Sequence, residues 1–225
     1  MQAAKDEFKE RVADVGAYLD FLAALETRVG GEIVDPGVDQ QCLQVMKASA
    51  FLLLYNIIES TVTSSFQHIY DEVAANSIPY DLLSKDLQEV WWSQQLGKLS
   101  SDSANRDTYL RCAKRLGNAI YAGDSVTLDA RSLPISGSLE AEKIRQLCKV
   151  HGITLKVERQ ALGGAELKTV KDKRNSLAHG LVSFSECGRD YTVADLKRIS
   201  DQVITFLRSL IASVEGYSKR SGYFT

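Results

Sequence analysis

The chain has 225 residues, of which 44% are hydrophobic and 25% charged, values that are ordinary for a globular protein. Its formal net charge is -2, which argues against a surface coated with positive charge for nonspecific nucleic-acid binding. The four cysteines are far apart and form no Cys-x-x-Cys pair, a pattern typical of reduced thiols. The N-terminal residues lack the apolar core of a signal peptide, and the longest apolar run, 48–58, is too short to span a bilayer. We therefore expect a cytoplasmic protein that does not bind a membrane.

Apolar residues recur at steps of three and four along two N-terminal segments, which predicts two helices. The first covers residues 3–28. The second, 38–75, has an apolar face so broad that we expect other helices to surround it. Asn76 and Pro79 are expected to end it. The loop between the two helices is predicted from its helix-breaking residues, Gly30, Gly31, Pro36 and Gly37.

The middle of the chain is predicted to lie at the periphery. Helices are expected at 80–98 and 106–119, with a polar turn at 100–104 between them. Residues 120–137 are the least helical stretch, and we expect a loop there that leaves room for a short strand. The whole region 80–160 has the character of an insertion into a helical bundle.

The next predicted helix, 139–150, is expected to have Ser138 as its N-terminal cap and to end at His151 and Gly152. Residues 153–158 alternate weakly between apolar and polar side chains, which is compatible with a short strand.

A further helix is predicted at 165–179, followed by a loop at 181–191. Thr192 is expected to cap a last helix that runs to about residue 216, after which the chain is expected to be frayed. The apolar side of the helix 165–179 is predicted to consist of Leu167, Val170, Leu177 and Leu181.

These elements predict a single all-α domain over residues 1–225. Its core is a helical bundle built around the long central helix, from residues of about 38–75 and 139–216. The peripheral helical region is expected at about 80–137. We find no internal repeat, low-complexity tract or linker in the sequence.

The segment from Lys171 to Gly180 concentrates groups that can perform chemistry. Arg174 has a fixed positive charge, and a histidine such as His179 can exchange a proton near neutral pH. Asn175 and His179 are four residues apart, so they share one face of a helix. Arg174 and His179 are five residues apart, about 140° around the helix and roughly 7.5 Å along it. In one chain the side chains of Arg174 and His179 therefore point in different directions, whereas the same helices of two facing chains could close a pocket.

Basic residues crowd this helix although the chain as a whole is slightly acidic. One interpretation is a phosphodiester site, in which Lys171 and Lys173 hold phosphate, Arg174 stabilises the transition state and His179 moves a proton. The other is a solvated basic face beside a capped helix end, where a cationic His179 interacts with the helix dipole. Charge and spacing leave both interpretations open. The basic residues are Lys168, Lys171, Lys173 and Arg174.

Glu59 lies in the apolar centre of the long helix, where a carboxylate needs a partner. Arg174 is one candidate, and the ion pair would hold the guanidinium in place. The alternative is that Glu59 faces solvent on the thin polar side of the helix.

The remaining candidates are weaker. His68 and Glu72 are four residues apart, but no third metal ligand is evident, so we expect a surface pair. No glycine-rich phosphate loop, nucleophile elbow or zinc cluster is present in the sequence, so we expect neither a metal nor a nucleotide cofactor. A solvated face is favoured over a nucleic-acid track for Arg111, Lys114 and Arg115. A core position is expected for at least one of Trp91 and Trp92.

The set Arg174-Asn-x-x-x-His179 resembles the signature of the HEPN superfamily (higher eukaryotes and prokaryotes nucleotide-binding domains), which is an arginine, a short spacer and a histidine. The run KDKRNSLAHGLVSFSECGRDYT is similar to the signature of the MAE-type HEPN family of bacterial proteins. Two further blocks are similar to that family, LYNIIEST at 54–61 and LEAEKIRQL at 139–147. The resemblance covers residues from about 40 to 210.

This resemblance implies a helical bundle that forms a homodimer with two motif helices at the interface. Active relatives are metal-independent ribonucleases, commonly toxins of toxin–antitoxin or antiphage systems, some of which have an antitoxin protein as partner. Carried over to this chain, Arg174 and His179 would be the catalytic pair and Asn175 their polar neighbour. The expected function is an RNA endonuclease in which the substrate's 2′-hydroxyl attacks the adjacent phosphate. The alternative is a non-catalytic dimer that binds RNA or a protein, or the antitoxin half of such a pair.

Overall fold

The computed structural model describes residues 1–29, 39–97, 105–135, 137 and 139–225. Within these residues the chain has eight α-helices and no β-strand, which confirms the predicted all-α fold. Shorter 3-10 or π turns lie between them. The α-helices are α1 (Gln2–Val29), α2 (Gln40–Ala75), α3 (Lys85–Gly97), α4 (Arg106–Gly117), α5 (Ala141–Val150), α6 (Ala165–Ala178), α7 (Phe184–Arg189) and α8 (Val193–Lys219).

The central helix is α2, and α1, α6, α7 and α8 pack around it. It begins where the Asp39 side chain accepts a hydrogen bond from the backbone of Gln41, and it ends at Asn76 as predicted. By length and composition α2 is apolar enough to cross a membrane, a property that the core helices of soluble proteins share. The N-terminal helix α1, which the predicted core omitted, also packs on α2 and α8. The largest fully buried side chains of α2 are Phe51, Leu54, Tyr55, Ile57, Ile58, Phe66, Ile69 and Tyr70.

The peripheral region is less helical than predicted at its start and more helical at its end. The predicted helix 80–98 is a 3-10 turn, Tyr80–Leu82, followed by α3. The helix α4 continues as a π-helical turn, Asn118–Ala122, into the stretch that was expected to be a loop. The loop predicted between α1 and α2, the turn at 100–104 and Ser138 lie outside the described residues. With Glu140 at its N-cap position, α5 begins two residues later than predicted, at Ala141.

The strand suggested at residues 153–158 is not formed. This segment lies along α8, where the backbone N–H groups of Lys156 and Glu158 donate to the hydroxyls of Ser213 and Ser209 at 3.1 and 3.2 Å. Its backbone donors are therefore satisfied by a helix surface instead of a neighbouring strand.

The prediction of a loop at 181–191 was wrong, because this segment contains the helix α7. Ser183 and Glu186 form a capping box: the Ser183 hydroxyl accepts from the backbone of Glu186, and the Glu186 carboxylate accepts from the backbone of Ser183. Gly188 lets α7 lie directly on α2, since a Cβ atom at this position would overlap the backbone carbonyl of Gln44.

The prediction of a frayed C-terminus was also wrong. Helix α8 is capped by Thr192 as expected, in a capping box completed by Asp195, but it extends to Lys219. Beyond it, Tyr223 is buried and its carbonyl accepts from the backbone of Ser84 at 2.9 Å. The backbone of Thr225 donates to the carbonyl of Leu82 at 3.0 Å. The last residues are therefore fixed to the turn that precedes α3.

Candidate active site

The helix α6 carries the Lys171–Gly180 segment and has a left-handed glycine on each side. Gly164 precedes it with φ +83, and a Cβ atom there would overlap the ring of Phe206 on α8. Gly180 follows with φ +66, so α6 ends at Ala178, as the sequence predicts to within one residue. Leu181 lies beyond this turn and is 78% exposed, so it does not continue the buried stripe of α6 as predicted.

The guanidinium of Arg174 is positioned by an aromatic ring and an amide. Its Cζ atom lies 4.5 Å from the centre of the Tyr55 ring, in a cation–π contact between α6 and α2. Its Nη1 atom donates to Oδ1 of Asn175 at 3.0 Å. A Cβ atom at Gly137 would lie 3.6 Å from the same Nη1 atom, so the backbone before α5 approaches the guanidinium closely. Arg174 is thus half-buried and held from several sides.

Three polar contacts connect the backbone before α5 to α2 and α6. Asn175 Nδ2 donates to the carbonyl of Gly137 at 3.2 Å. The backbone of Leu139 donates to the Tyr55 hydroxyl at 3.3 Å. The Glu140 carboxylate lies 2.6 Å from Lys171 Nζ. The two ends of the Asn175 amide therefore link the guanidinium to the backbone that covers it, a role that helix spacing alone did not reveal.

The ion pair suggested between Glu59 and Arg174 is not formed. In the described part of the chain no cation lies within 4.0 Å of the Glu59 carboxylate, which is half-buried. The guanidinium contacts Tyr55 instead, one helical turn before Glu59. Burial raises the pKa of Tyr55, the Leu139 hydrogen bond and the charge of Arg174 lower it, and the charge of Glu59 raises it.

The two lysines predicted to hold phosphate are not equivalent. Lys171 Nζ lies 2.6 Å from Glu140 and 3.2 Å from Asp172, and the hydrogen bond with Glu140 is the main reason that the pKa of Lys171 is raised. Lys173 Nζ lies 5.3 Å from the centre of the Tyr191 ring and has no carboxylate within ion-pair distance among the described residues. Lys173 is therefore the lysine whose charge remains available to a phosphate.

His179 occupies the C-cap position of α6 and is exposed. Its backbone N–H donates to the carbonyl of Asn175 at 3.0 Å. Within the described residues its imidazole makes no hydrogen bond, so both ring nitrogens are open to a substrate. A fixed, half-buried cation and an open imidazole thus occupy successive turns at one end of α6.

The other two histidines have structural partners. His68 is mostly buried, so it is not the surface residue that was expected: its ring nitrogens lie 2.8 Å from the amino group of Met1 and 3.3 Å from Ser218, Glu72 is 4.0 Å away, and burial lowers its pKa. His151 is buried at the end of α5, where Nε2 lies 2.7 Å from the Tyr70 hydroxyl. No group of three or more metal-ligating side chains occurs among the described residues.

The tryptophans do not offer free stacking surfaces. Trp91 is buried in the core, and Trp92 is half-buried with its Nε1 donating to the Tyr80 hydroxyl at 2.7 Å. The core position expected for at least one of them is confirmed.

Comparison with known proteins identifies a family. The sequence model of the MAE_28990-like HEPN family matches residues 2–223, which includes the N-terminal helix and the peripheral region beyond the blocks quoted above. No curated protein and no solved structure matches the chain.

Proposed function

The chain belongs to the MAE_28990-like HEPN family, and from this membership we propose that it is a metal-independent RNA endonuclease. Family membership by itself indicates a nuclease or an RNA-binding module. The observation that favours catalysis is the arrangement on α6: Arg174 is held by Tyr55 and Asn175, while the imidazole of His179 is exposed and unengaged. We place this activity in the cytoplasm, with an antitoxin protein as a candidate partner.

The proposed reaction uses the nucleophile that RNA itself supplies. The 2′-oxygen attacks the adjacent phosphorus while His179 accepts its proton. The bond from phosphorus to the 5′-oxygen breaks, and that oxygen takes a proton from water to give a 5′-hydroxyl beside a 2′,3′-cyclic phosphate. Arg174 neutralises the negative charge that develops on the phosphoryl oxygens. Asn175 keeps the guanidinium in place through its 3.0 Å contact. Since DNA lacks the 2′-hydroxyl, it should not be cleaved.

We propose that the site is completed in a homodimer. Arg174 is half-buried on one side of α6, and His179 is exposed at the end of this helix, so the two side chains of one chain point in different directions. A second chain can supply the Arg174 or His179 that the first chain does not direct at the substrate. Exposed apolar side chains support such an interface: Leu181 after α6 is 78% exposed, and Leu52, one turn before Tyr55 on α2, is 37% exposed. Light scattering of wild type and Leu181→Glu tests the proposed homodimer, because a dimer that buries Leu181 at its interface should dissociate in the variant.

The decisive experiment compares wild type, Arg174→Ala and His179→Ala on single-stranded RNA in EDTA. Lys168→Ala, an exposed change on the same helix, is the matched control. We expect cyclic-phosphate products from wild type and the control only. Activity that chelation abolishes, or that both site variants retain, contradicts the mechanism.

A non-catalytic RNA- or protein-binding dimer is the second candidate, and it includes the antitoxin half of a toxin pair. Two observations favour it: Lys171 is already neutralised by Glu140 and Asp172, and no described side chain orients the imidazole of His179. A growth test separates the two halves of a toxin pair, because expression of a toxin should arrest cells and expression of an antitoxin should not.

A further inference from the structure

The helix α4 packs only lightly on the rest of the protein. In the part of the chain that the structure describes, none of its side chains is buried. Two weak polar contacts join α4 to Gln95 of α3: Cys112 Sγ lies 3.8 Å from its carbonyl, and Arg115 lies 3.4 Å from its side chain. The π turn that follows α4 is anchored more firmly, through the buried Ala119.

Large apolar side chains of this region face solvent. Tyr121 is 91% exposed, the highest value among the exposed large apolar residues of the described chain. Tyr109 and Leu110 on α4 are half exposed, and Ile120 beside Tyr121 is 41% exposed. Singly exposed apolar side chains are ordinary, but four within residues 109–121 mark this region as a candidate contact surface.

The same region is strongly basic. Residues 106–122 contain four basic side chains and one acid, Asp107, for a net charge of +3 in a chain whose formal net charge is -2. Arg111, Lys114 and Arg115 fall within an arc of about 100° around the helix, with Leu110 at its border. We define the α4 surface as the exposed residues Leu110, Arg111, Lys114, Arg115, Ile120 and Tyr121.

We propose that the α4 surface binds single-stranded RNA. Its cations complement the phosphates, and the exposed ring of Tyr121 offers a plane on which an unpaired base can stack. The most exposed of its apolar side chains is a tyrosine, Tyr121, which favours stacking with bases over insertion among acyl chains. The proposal shares with the proposed function only the identity of the ligand, because it concerns binding and not cleavage.

The experiment measures binding of a short fluorescein-labelled 2′-O-methyl RNA by fluorescence anisotropy across a salt series. This strand lacks the nucleophilic hydroxyl, so cleavage does not interfere. Tyr121→Ala should weaken binding by about tenfold through lost stacking. Arg111→Gln combined with Lys114→Gln should reduce the slope of log Kd against log salt by about 1.4.

Matched controls alter exposed residues elsewhere. Phe21→Ala removes an aromatic ring that is 52% exposed on α1, and Lys149→Gln with Arg220→Gln removes two exposed cations. Both should leave binding unchanged. Thermal unfolding of each variant, compared with wild type, confirms that the fold is retained.

The outcomes separate this proposal from the proposed function. Wild-type affinity in the α4 variants, or equal losses in the controls, overturns the α4 proposal even if the protein cleaves RNA. Loss of binding to phosphatidylglycerol vesicles with unchanged RNA binding also overturns it, in favour of a membrane. A wild type that binds RNA through α4 but cleaves none overturns the proposed function and leaves the α4 surface standing.

Discussion

Arg174 places its guanidinium over the ring of Tyr55, with 4.5 Å between Cζ and the ring centre. The arginine is on α6 and the tyrosine is on α2, the central helix around which α1, α6, α7 and α8 pack. Because Tyr55 is only 2% exposed and its hydroxyl is bonded to Leu139, the ring has little freedom to move. The position of the guanidinium is therefore set by the core.

Substitutions of Tyr55 should distinguish the contribution of its ring from the contribution of its hydroxyl. Tyr55→Phe keeps the cation–π contact and loses the Leu139 hydrogen bond, so we expect a loss of about 1 kcal/mol in stability and nearly normal kcat. Tyr55→Leu also loses the ring, and kcat for RNA cleavage should fall about tenfold to a hundredfold because Arg174 is displaced. Urea unfolding and steady-state kinetics measure the two effects. Val62→Ala, a buried change on the same helix, should lower stability but not kcat. Equal kcat in the Phe and Leu variants would show that the ring does not position Arg174.

Neutralising Glu140 should make Lys171 more available to RNA. In Glu140→Gln, Lys171 retains only the Asp172 contact at 3.2 Å, so the slope of log Kd against log salt should steepen by up to about 0.7. Salt-dependent anisotropy with 2′-O-methyl RNA measures this slope. The control is Glu142→Gln, an exposed acid on the same helix. An unchanged slope would mean that Lys171 does not meet a phosphate.

The buried His151 should make the protein less stable in mild acid. Burial lowers its pKa to about 4 from the ordinary 6.5, so the folded state favours the neutral ring. The resulting stability is fully present above pH 6.5 and is lost as the pH falls towards 4, to a total of roughly 3 kcal/mol. Urea unfolding between these pH values measures the loss. His151→Gln should be less stable near neutral pH and should have a flatter profile, and a slope equal to that of wild type would assign the acid sensitivity to other groups.

The capping box of α7 should contribute measurably to stability. Ser183→Ala removes the acceptor for the backbone of Glu186 and should cost about 1 kcal/mol. Thr192→Ala at the start of α8 should cost a similar amount, since Thr192 accepts from Asp195 in the same way. Thr27→Ala, an exposed change whose hydroxyl donates to the carbonyl of Ala23 within α1, serves as the control. Thermal unfolding measures all three, and a Ser183 variant no weaker than the control would exclude a stabilising cap.

The long helices were predictable because their apolar periodicity is decided locally. Helix α7 was missed although the signal, Ser183 followed three residues later by Glu186, is present in the sequence. The segment 153–158 and the last residues could not be assigned from local pattern, because the surfaces of α8 and of the turn before α3 decide their conformation.

The candidate site also has features that the local sequence predicts and others that depend on packing. The residues Arg174, Asn175 and His179 are visible in one short run of sequence. The partner of Arg174 was not, because Glu59 and Tyr55 lie on the same side of α2 and only packing selects between them. Tyr121 gives no sign of its exposure in the sequence, since a tyrosine beside apolar residues is as well suited to a core.

The left-handed glycines at the two ends of α6 have a consequence for the register of the motif. Gly164 and Gly180 fix this helix at 14 residues, and Arg174 is tied to Tyr55 between them. The five-residue spacing between Arg174 and His179 therefore separates a side chain that Tyr55 holds in place from the C-terminal end of the helix. One residue added within it would rotate the imidazole by about 100° without moving the guanidinium. A chain with such an insertion should keep its fold and lose the alignment of the two groups.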